Sequence, residues 1–240
     1  MKNSLKFLLA AGLLLLGTLA AFNAALRAEY RLGDFKKPLY GYARLPLRGF
    51  DTLDLPAAGQ MDIAVEAGPF GVFVNKQDTA YVRVGQRGRR LTVMLNLPRN
   101  ADFSGRPVVI RCPRLAAVTA GSSSTANGQP LTVPKLSYAN RNQLLIKGFV
   151  QDSMRLALNH TAHLVLNGNR LAHLQATVGN TPGSTAQLDL LPGNRLAVTD
   201  LRVEEQGKLL ARNVALPTRR WHFGASARLE LTGAALGSLR

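Results

Sequence analysis

Two short basic segments contain the residue types best suited to binding an anion. One is the stretch GQRGRR, which places Arg87, Arg89 and Arg90 around a glycine, and the other is RRWH at 219–222, with Arg220 next to Trp221. The guanidinium group offers a planar fork of donors to carboxylate, sulfate or phosphate. Tryptophan adds a large amphipathic surface. Both segments are therefore candidate contacts for an anionic glycan, the alternative being that they are solvated turns.

A repeat supplies a second group of candidates. LNGNRLA at 166–172 returns as LPGNRLA at 191–197. Repeats at this spacing are typical of units that must stack to bury their apolar face. Stacking would place Leu171 over Leu196, and it would let Asn169 and Asn194 form an amide ladder.

The same stacking brings Arg170 and Arg195 together, which is unfavourable for two like charges. The two side chains must then fan into solvent, pair with acids such as Asp200 or Glu204, or hold an anion between them. One more step of the same length aligns Arg220 with Arg195. Convergence of the three arginines on one concave face is therefore the hypothesis that a structure can test.

The acidic residues are sparse, and the densest group is Asp189, Asp200, Glu204 and Glu205. Glycoside cleavage needs two carboxyl groups that flank the scissile bond. Asp189 could approach Glu204 or Glu205 on successive repeats, which keeps a polysaccharide lyase or hydrolase as the alternative function. Salt bridges to neighbouring arginines are the simpler interpretation of these acids.

No other catalytic signature is present in the sequence. The four histidines, at 160, 163, 173 and 222, do not form a recognisable metal motif, and Cys112 is the only cysteine, in an apolar run that predicts a buried, inert thiol. There is no nucleophile elbow, phosphate-binding loop or dinucleotide fingerprint. We therefore predict a protein that is not an enzyme, with no catalytic residue, no metal and no cofactor.

The charge balance limits the class of partner. Thirty Lys and Arg residues face fourteen Asp and Glu, a formal net charge of +16. Such a charge favours contact with anionic surfaces. Nucleic acid is a poor candidate, because the charges form no long run and aromatic residues are not interleaved for base stacking. The sequence does not indicate an oligomeric state.

The first residues predict a membrane segment. Residues 7–25 carry no charge and follow Lys2 and Lys6, so they fit either a single-pass anchor or a secretory signal. No Ala-x-Ala cleavage site occurs, which favours the uncleaved anchor. We assign residues 1–26 to this segment and 27–48 to a juxtamembrane linker, and expect export of the rest of the chain.

Residues 49–236 contain short apolar runs separated by Gly, Pro, Asn and Asp, beginning with FDTLDL, MDIAV, GVFV, AYVRV and LTVML. This pattern indicates an all-β domain, and GQRGRR predicts a hairpin turn. With the repeat of LNGNRLA it predicts a parallel β-helix or β-solenoid-like domain with short strands and an irregular N-terminal β cap, preceded by one hydrophobic helix.

The same region resembles the auto-transporter adhesin, head GIN domain family of bacterial cell-envelope proteins. The likeness begins at FDTLDL, runs through VEAGPFGVFV, VGQRGRRLTVML and PRLAAVTAGSSS, and closes on ASARLELTGAAL. It implies a β-solenoid-like fold in the cell envelope, periplasmic or at the surface, with a structural, adhesive or ligand-binding role. This chain departs from the family in its high basic charge. It also lacks a lipid-attachment cysteine near the N-terminus, which favours the helical anchor.

Overall fold

The computed structural model describes residues 2–33, 39–97, 108–126, 129–132 and 142–237. The chain divides into two units, Met1–Tyr42 and Ala43–Arg240, and each is described by itself.

The first unit is dominated by helix α1, Lys2–Leu32, which continues past the predicted limit at residue 26. Its apolar side chains are exposed, for example Phe7 and Leu14. From Lys6 to Leu32 the helix is long and apolar enough to cross a membrane, and a signal sequence meets the same criteria.

The second unit consists of short strands and one short helix. In chain order they are β1 (Tyr42–Leu45), β2 (Thr52–Leu55), β3 (Ile63–Ala67), β4 (Gly71–Asn75), β5 (Val82–Arg87), β6 (Arg90–Leu97), β7 (Val108–Cys112), β8 (Ala117–Ala120), β9 (Ser123–Ala126), β10 (Gln129–Thr132), β11 (Leu144–Lys147), β12 (Val150–Leu158), β13 (His163–Asn167), β14 (Arg170–Val178), β15 (Gln187–Leu190), β16 (Arg195–Val203), β17 (Lys208–Arg212), β18 (Thr218–Phe223), β19 (Arg228–Thr232) and α2 (Ala234–Gly237).

These strands form two large sheets. The nine-stranded sheet has the order β1-β4-β7-β3-β11-β13-β15-β17-β19. The ten-stranded sheet has the order β10-β9-β6-β2-β8-β12-β14-β16-β18, with β5 paired to β6. Inward-facing residues of both sheets, such as Leu53 and Ile63, belong to one buried core.

The predicted parallel β-solenoid with an irregular N-terminal cap is wrong. The structure is a sandwich of two mixed sheets, in which β4 pairs with β7, β5 with β6 and β10 with β9 in antiparallel fashion. Tight turns allow the consecutive strands β5 and β6, and β9 and β10, to pair as hairpins, a possibility that a repeat of parallel units does not contain. The predicted all-β content and the N-terminal helix are present.

The repeat describes one step in the ten-stranded sheet and not a period of the whole domain. Arg170 pairs with Arg195, which is the step that the repeat marks, and Leu171 lies opposite Leu196 as predicted. On both sides of this pair of strands, residues that lie side by side are closer together in the sequence than the two copies of the repeat, since Val150 pairs with Arg170 and Val198 pairs with Thr218. Alignment of Arg220 with Arg195 is therefore wrong, because the shorter step places Arg220 beside Asp200.

The predicted amide ladder is confirmed. Asn169 Nδ2 donates to Asn194 Oδ1 at 3.1 Å and to the Ile146 carbonyl at 3.0 Å, while Asn194 Nδ2 donates to the carbonyl of Leu166 at 2.8 Å. Both side chains are buried. The ladder adds hydrogen bonds to the backbone where the chain passes from one sheet to the other.

Two local predictions are also confirmed. The hairpin joins β5 to β6, and Gly88, at φ 58°, occupies the position where a two-residue turn needs a positive φ. Cys112 is fully buried, and burial raises the pKa of its thiol to about 12. Its thiolate is therefore scarce at neutral pH, as expected for an inert cysteine.

Candidate functional site

A row of side chains crosses the outer face of the ten-stranded sheet and contains three of the predicted arginines. Strand pairing places its members side by side, and we call them the arginine row: Arg87, Arg90, Thr52, Ala117, Arg155, Gln175, Asp200 and Arg220. The segments that contribute them span residues 52 to 220, so only the fold brings these residues together.

The row faces away from the core because side chains alternate along a strand. The residues that follow row members, such as Leu53, Leu156 and Leu201, are fully buried. The four arginines of the row are exposed. An extended ligand lying across the strands could contact all four.

The spacing of the row is regular. Arg90, Arg155 and Arg220 lie on β6, β12 and β18, and each is three strands from the next. At about 4.8 Å per strand, successive arginines are roughly 14 Å apart. Three positive charges therefore recur at equal intervals along one line.

The charges of the row are largely uncompensated. Within the described part of the chain, none of its four arginines has a carboxylate within 4.0 Å. Arg155 Nε donates to Gln175 Oε1 at 3.1 Å, a neutral partner. Asp200 is the one acid of the row and lies between Gln175 and Arg220.

Arg89, which was predicted with Arg87 and Arg90, has a different environment. Its guanidinium forms an ion pair with the mostly buried carboxylate of Asp51, at the start of β2. The hydrogen bond from Arg89 holds the pKa of Asp51 below its ordinary value. This contact ties the hairpin to the adjacent strand, so Arg89 has a structural partner, whereas Arg87 and Arg90 have no carboxylate partner within the described part of the chain.

Trp221 lies on the opposite side of β18 from Arg220. Its ring is half-buried against the core, in an edge-to-face contact with Phe223 at 6.1 Å between centroids. The indole N–H donates to Thr199 Oγ1 at 3.0 Å, and the Arg219 guanidinium lies 5.9 Å from the ring centroid. The ring and the Arg220 side chain therefore lie on opposite faces of the strand, although both residues line one hollow of about 420 Å³.

Arg170 and Arg195 form a separate pair at the beginning of β14 and β16. Both are exposed, and they line a groove of about 650 Å³ on the ten-stranded sheet. They do not share this groove with Arg220. The seven predicted binding residues therefore divide between the arginine row, this groove and the partners of Arg89 and Trp221.

The acids of the alternative enzyme hypothesis are not brought together. Asp189 lies on β15 of the nine-stranded sheet, whereas Glu204 follows β16 of the ten-stranded sheet. Glu204 accepts from Arg202 Nε at 2.6 Å, which matches the simpler salt-bridge interpretation.

The protonation state of Asp189 is also the wrong one for a general acid. Burial raises its pKa, but hydrogen bonds from His163 and Gln187 and the charges of His163 and Arg212 outweigh that effect and hold the pKa below its ordinary value. A general acid in glycoside cleavage requires a raised pKa.

No candidate metal centre emerges from the side chains that the structure describes, where no three His, Cys, Asp or Glu residues cluster. The predicted absence of a metal and of a cofactor stays a prediction.

Sequence reasoning missed Arg155. It lies in MRLALN, one of the short apolar runs of residues 49–236, but no local motif distinguishes it from other scattered arginines. Only the unmarked, shorter step from β12 to β14 places it in line with the others.

Comparisons with known proteins give the chain no family. No model of a known protein family matches it, and no curated protein matches it. Membership of the head GIN domain family therefore stays a prediction.

Solved structures with a similar course of the chain do exist. A "putative adhesin" from Bacteroides fragilis NCTC 9343 is 9% identical, with 79% of this chain and 95% of that chain covered and a TM-score of 0.40. A "putative adhesin" from Parabacteroides merdae ATCC 43184 is 14% identical, with 80% of this chain and 92% of that chain covered and a TM-score of 0.37. A "putative lipid binding protein" from Parabacteroides distasonis ATCC 8503 is 10% identical, with 80% of this chain and 94% of that chain covered and a TM-score of 0.34. Identities and TM-scores this low do not assign a function to the chain.

Proposed function

We propose that this protein is a membrane-anchored, extracytoplasmic binding domain of a bacterial cell envelope, and that it holds a linear anionic polysaccharide. The apolar helix α1 is the proposed anchor. The arginine row is the proposed binding surface, in place of the scattered set of residues that the sequence indicated.

One observation carries the proposal, namely the equal spacing of Arg90, Arg155 and Arg220, which have no carboxylate partner among the described side chains. Unpaired guanidinium groups form charge-assisted hydrogen bonds with carboxylate or sulfate. A linear polymer with regularly repeated charges can satisfy all three in one orientation, across the strands. The small neighbours Thr52 and Ala117 leave room for its backbone between the arginines.

The test is retention of the full chain, in phosphatidylcholine nanodiscs, on a heparin column eluted with salt. We expect the variant R155A/R220A to bind about tenfold more weakly, because two of the three regularly spaced contacts are gone. The matched control is K76A/R228A, which removes the same charge from exposed positions outside the row.

Equal weakening by both variants would show that only net charge matters and would contradict the proposal. Retention of R155A/R220A at the wild-type salt concentration would contradict it as well. A soluble polyuronate should displace the wild-type protein, whereas single-stranded DNA displacing it equally well at the same charge concentration would redirect the assignment to nucleic acid.

The anchor is tested separately. The mass of the chain recovered from the membrane fraction should include residues 1–26 if the helix is an uncleaved anchor, and a chain that lacks them would identify a cleaved signal.

A further inference from the structure

The groove that contains Arg170 and Arg195 has a chemistry different from that of the arginine row. The two arginines are direct neighbours in the sheet, about 4.8 Å apart along it. Within the described residues neither guanidinium has a carboxylate within 4.0 Å. Two adjacent cations without a counter-ion attract a single anion.

The floor of the groove is apolar and built from small residues. Ala172 and Ala197 follow the paired Leu171 and Leu196, and Ala215 and Pro217 line the far end. At the near end Val150 is 73% exposed, which is unusual for a valine on a strand of a packed sheet. An apolar occupant would remove this surface from water.

Few polar groups of the groove are free to bind sugar hydroxyls. The amide of Asn194 already bonds Asn169 and the carbonyls of Leu166 and Leu191. The amide of Gln151 is occupied by both backbone groups of Leu115. A hydroxyl-rich ligand would therefore find mainly Asp152 and the two arginines.

The groove and the arginine row lie on different stretches of the same strands. Leu171 and Leu174 are both buried although they are three positions apart, and Leu196 and Thr199 repeat this pattern on β16. Strict alternation would place such residues on opposite faces. The alternation therefore slips by one position between them, and the groove lies before this irregularity whereas the row lies after it.

We propose that this groove binds an amphipathic anion, a carboxylate attached to a short alkyl chain. The carboxylate lies between Arg170 and Arg195. The alkyl chain lies on Ala172 and Ala197, with Val150 and Pro217 at the two edges of the groove.

The experiment is calorimetric titration of sodium octanoate into the full chain in phosphatidylcholine nanodiscs, with empty nanodiscs subtracted. Sodium acetate supplies the anion without the chain, and octanamide supplies the chain without the charge. We expect saturable binding of octanoate and at least about tenfold weaker binding of the other two.

Two kinds of variant test separately the charge of the two arginines and the apolar floor of the groove. R170A/R195A should weaken octanoate binding about tenfold. A197F should abolish it by filling the floor, and Ala197 is exposed, so the thermal transition should not change. The control K76A/R228A removes the same charge from exposed positions outside both sites and should bind octanoate like the wild type.

Three outcomes would overturn the proposal: no octanoate heat above that of empty nanodiscs, acetate or octanamide binding as tightly as octanoate, or octanoate binding that persists in R170A/R195A and in A197F. None of them affects the proposed polysaccharide surface, because the heparin test uses different residues.

Discussion

The outer faces of the two sheets carry similar residue types but arrange them differently. On the nine-stranded sheet several charged residues are paired across strands: Arg111 and Lys147 each lie 3.0 Å from Glu66, and Lys208 lies 3.1 Å from Glu230. On the ten-stranded sheet the arginines of the row have no such partners among the described residues. These cross-strand pairs neutralise charges of one face internally, whereas the arginines of the row remain available on the other face.

Asp189 shows most clearly what pairing does on the nine-stranded face. Its side chain is only 8% exposed, between the strand neighbours Val165 and Leu210, which are themselves buried. Gln187 Nε2 donates to it at 2.7 Å, and His163 Nε2 lies 3.4 Å away. A carboxylate can remain charged in such a place only because donors and positive groups surround it. Paired charges therefore serve stability, whereas unpaired charges are free to bind.

Acidification should produce the largest loss of stability from the paired face, because it protonates several paired carboxylates at once. For Glu66, as for Asp189, burial raises the pKa, but the hydrogen bonds and charges of its partners Lys147 and Arg111 hold it below its ordinary value. Because the pKa of each carboxyl is lower in the folded state, its ionisation stabilises the fold above the unfolded pKa, which is about 4.5 for Glu and 3.8 for Asp. This stability is lost as the pH falls through the lower pKa of the folded state. The thermal transition should therefore fall steeply below about pH 4.5, and E66Q/D189N should flatten this dependence.

Removal of the Asp189 carboxylate is expected to have the largest effect of any single substitution. D189A leaves the Gln187 and His163 donors without their acceptor in a nearly buried place. We expect the free energy of unfolding to fall by about 2–3 kcal/mol, measured by chemical denaturation. A change smaller than about 0.5 kcal/mol would show that the paired face does not stabilise the domain.

Glu66 should have a smaller effect, because its side chain is more exposed. E66Q weakens the attraction to Arg111 and Lys147 and should cost about 1 kcal/mol. The matched control is D54N on the ten-stranded face, where Asp54 has no basic partner within 4.0 Å among the described residues. It should change the free energy of unfolding by less than about 0.5 kcal/mol. Equal costs at the two positions would remove the contrast between the faces.

The smallest effect on stability is expected for the arginines of the row. R155A/R220A removes two exposed side chains, and among the residues that the structure describes only Arg155 makes a hydrogen bond, to the exposed Gln175. The unfolding free energy should change by less than about 0.5 kcal/mol. A substantially larger loss, in the same denaturation experiment, would mean that these arginines are structural.

Much of the local structure follows from the sequence. Apolar runs separated by turn residues predict the strands from β2 to β6, glycine in GQRGRR predicts the hairpin, and the repeated Asn predicts the buried amide ladder. These features depend on residues that are close in sequence or in identical repeats. Local rules are sufficient for them.

The arrangement of the sheets and of the site does not follow in this way. The step between Arg170 and Arg195 has an evident sequence signature, whereas the shorter steps on both sides of it join segments that do not repeat their residues. The alignment of Arg90, Arg155 and Arg220 depends on those unmarked steps. The pairing of Arg89 with Asp51, which lie far apart in the sequence, is likewise a property of the fold.

The most direct test asks whether the paired charges of one face stabilise the domain while the arginines of the other face bind the ligand. It measures two quantities on the same two proteins, R155A/R220A and D189A. The quantities are the salt concentration of elution from heparin and the free energy of unfolding. The account predicts that R155A/R220A elutes earlier with unchanged stability, while D189A loses stability and elutes with the wild type under conditions in which it is folded. Loss of stability without earlier elution for R155A/R220A, or earlier elution of folded D189A, would contradict it.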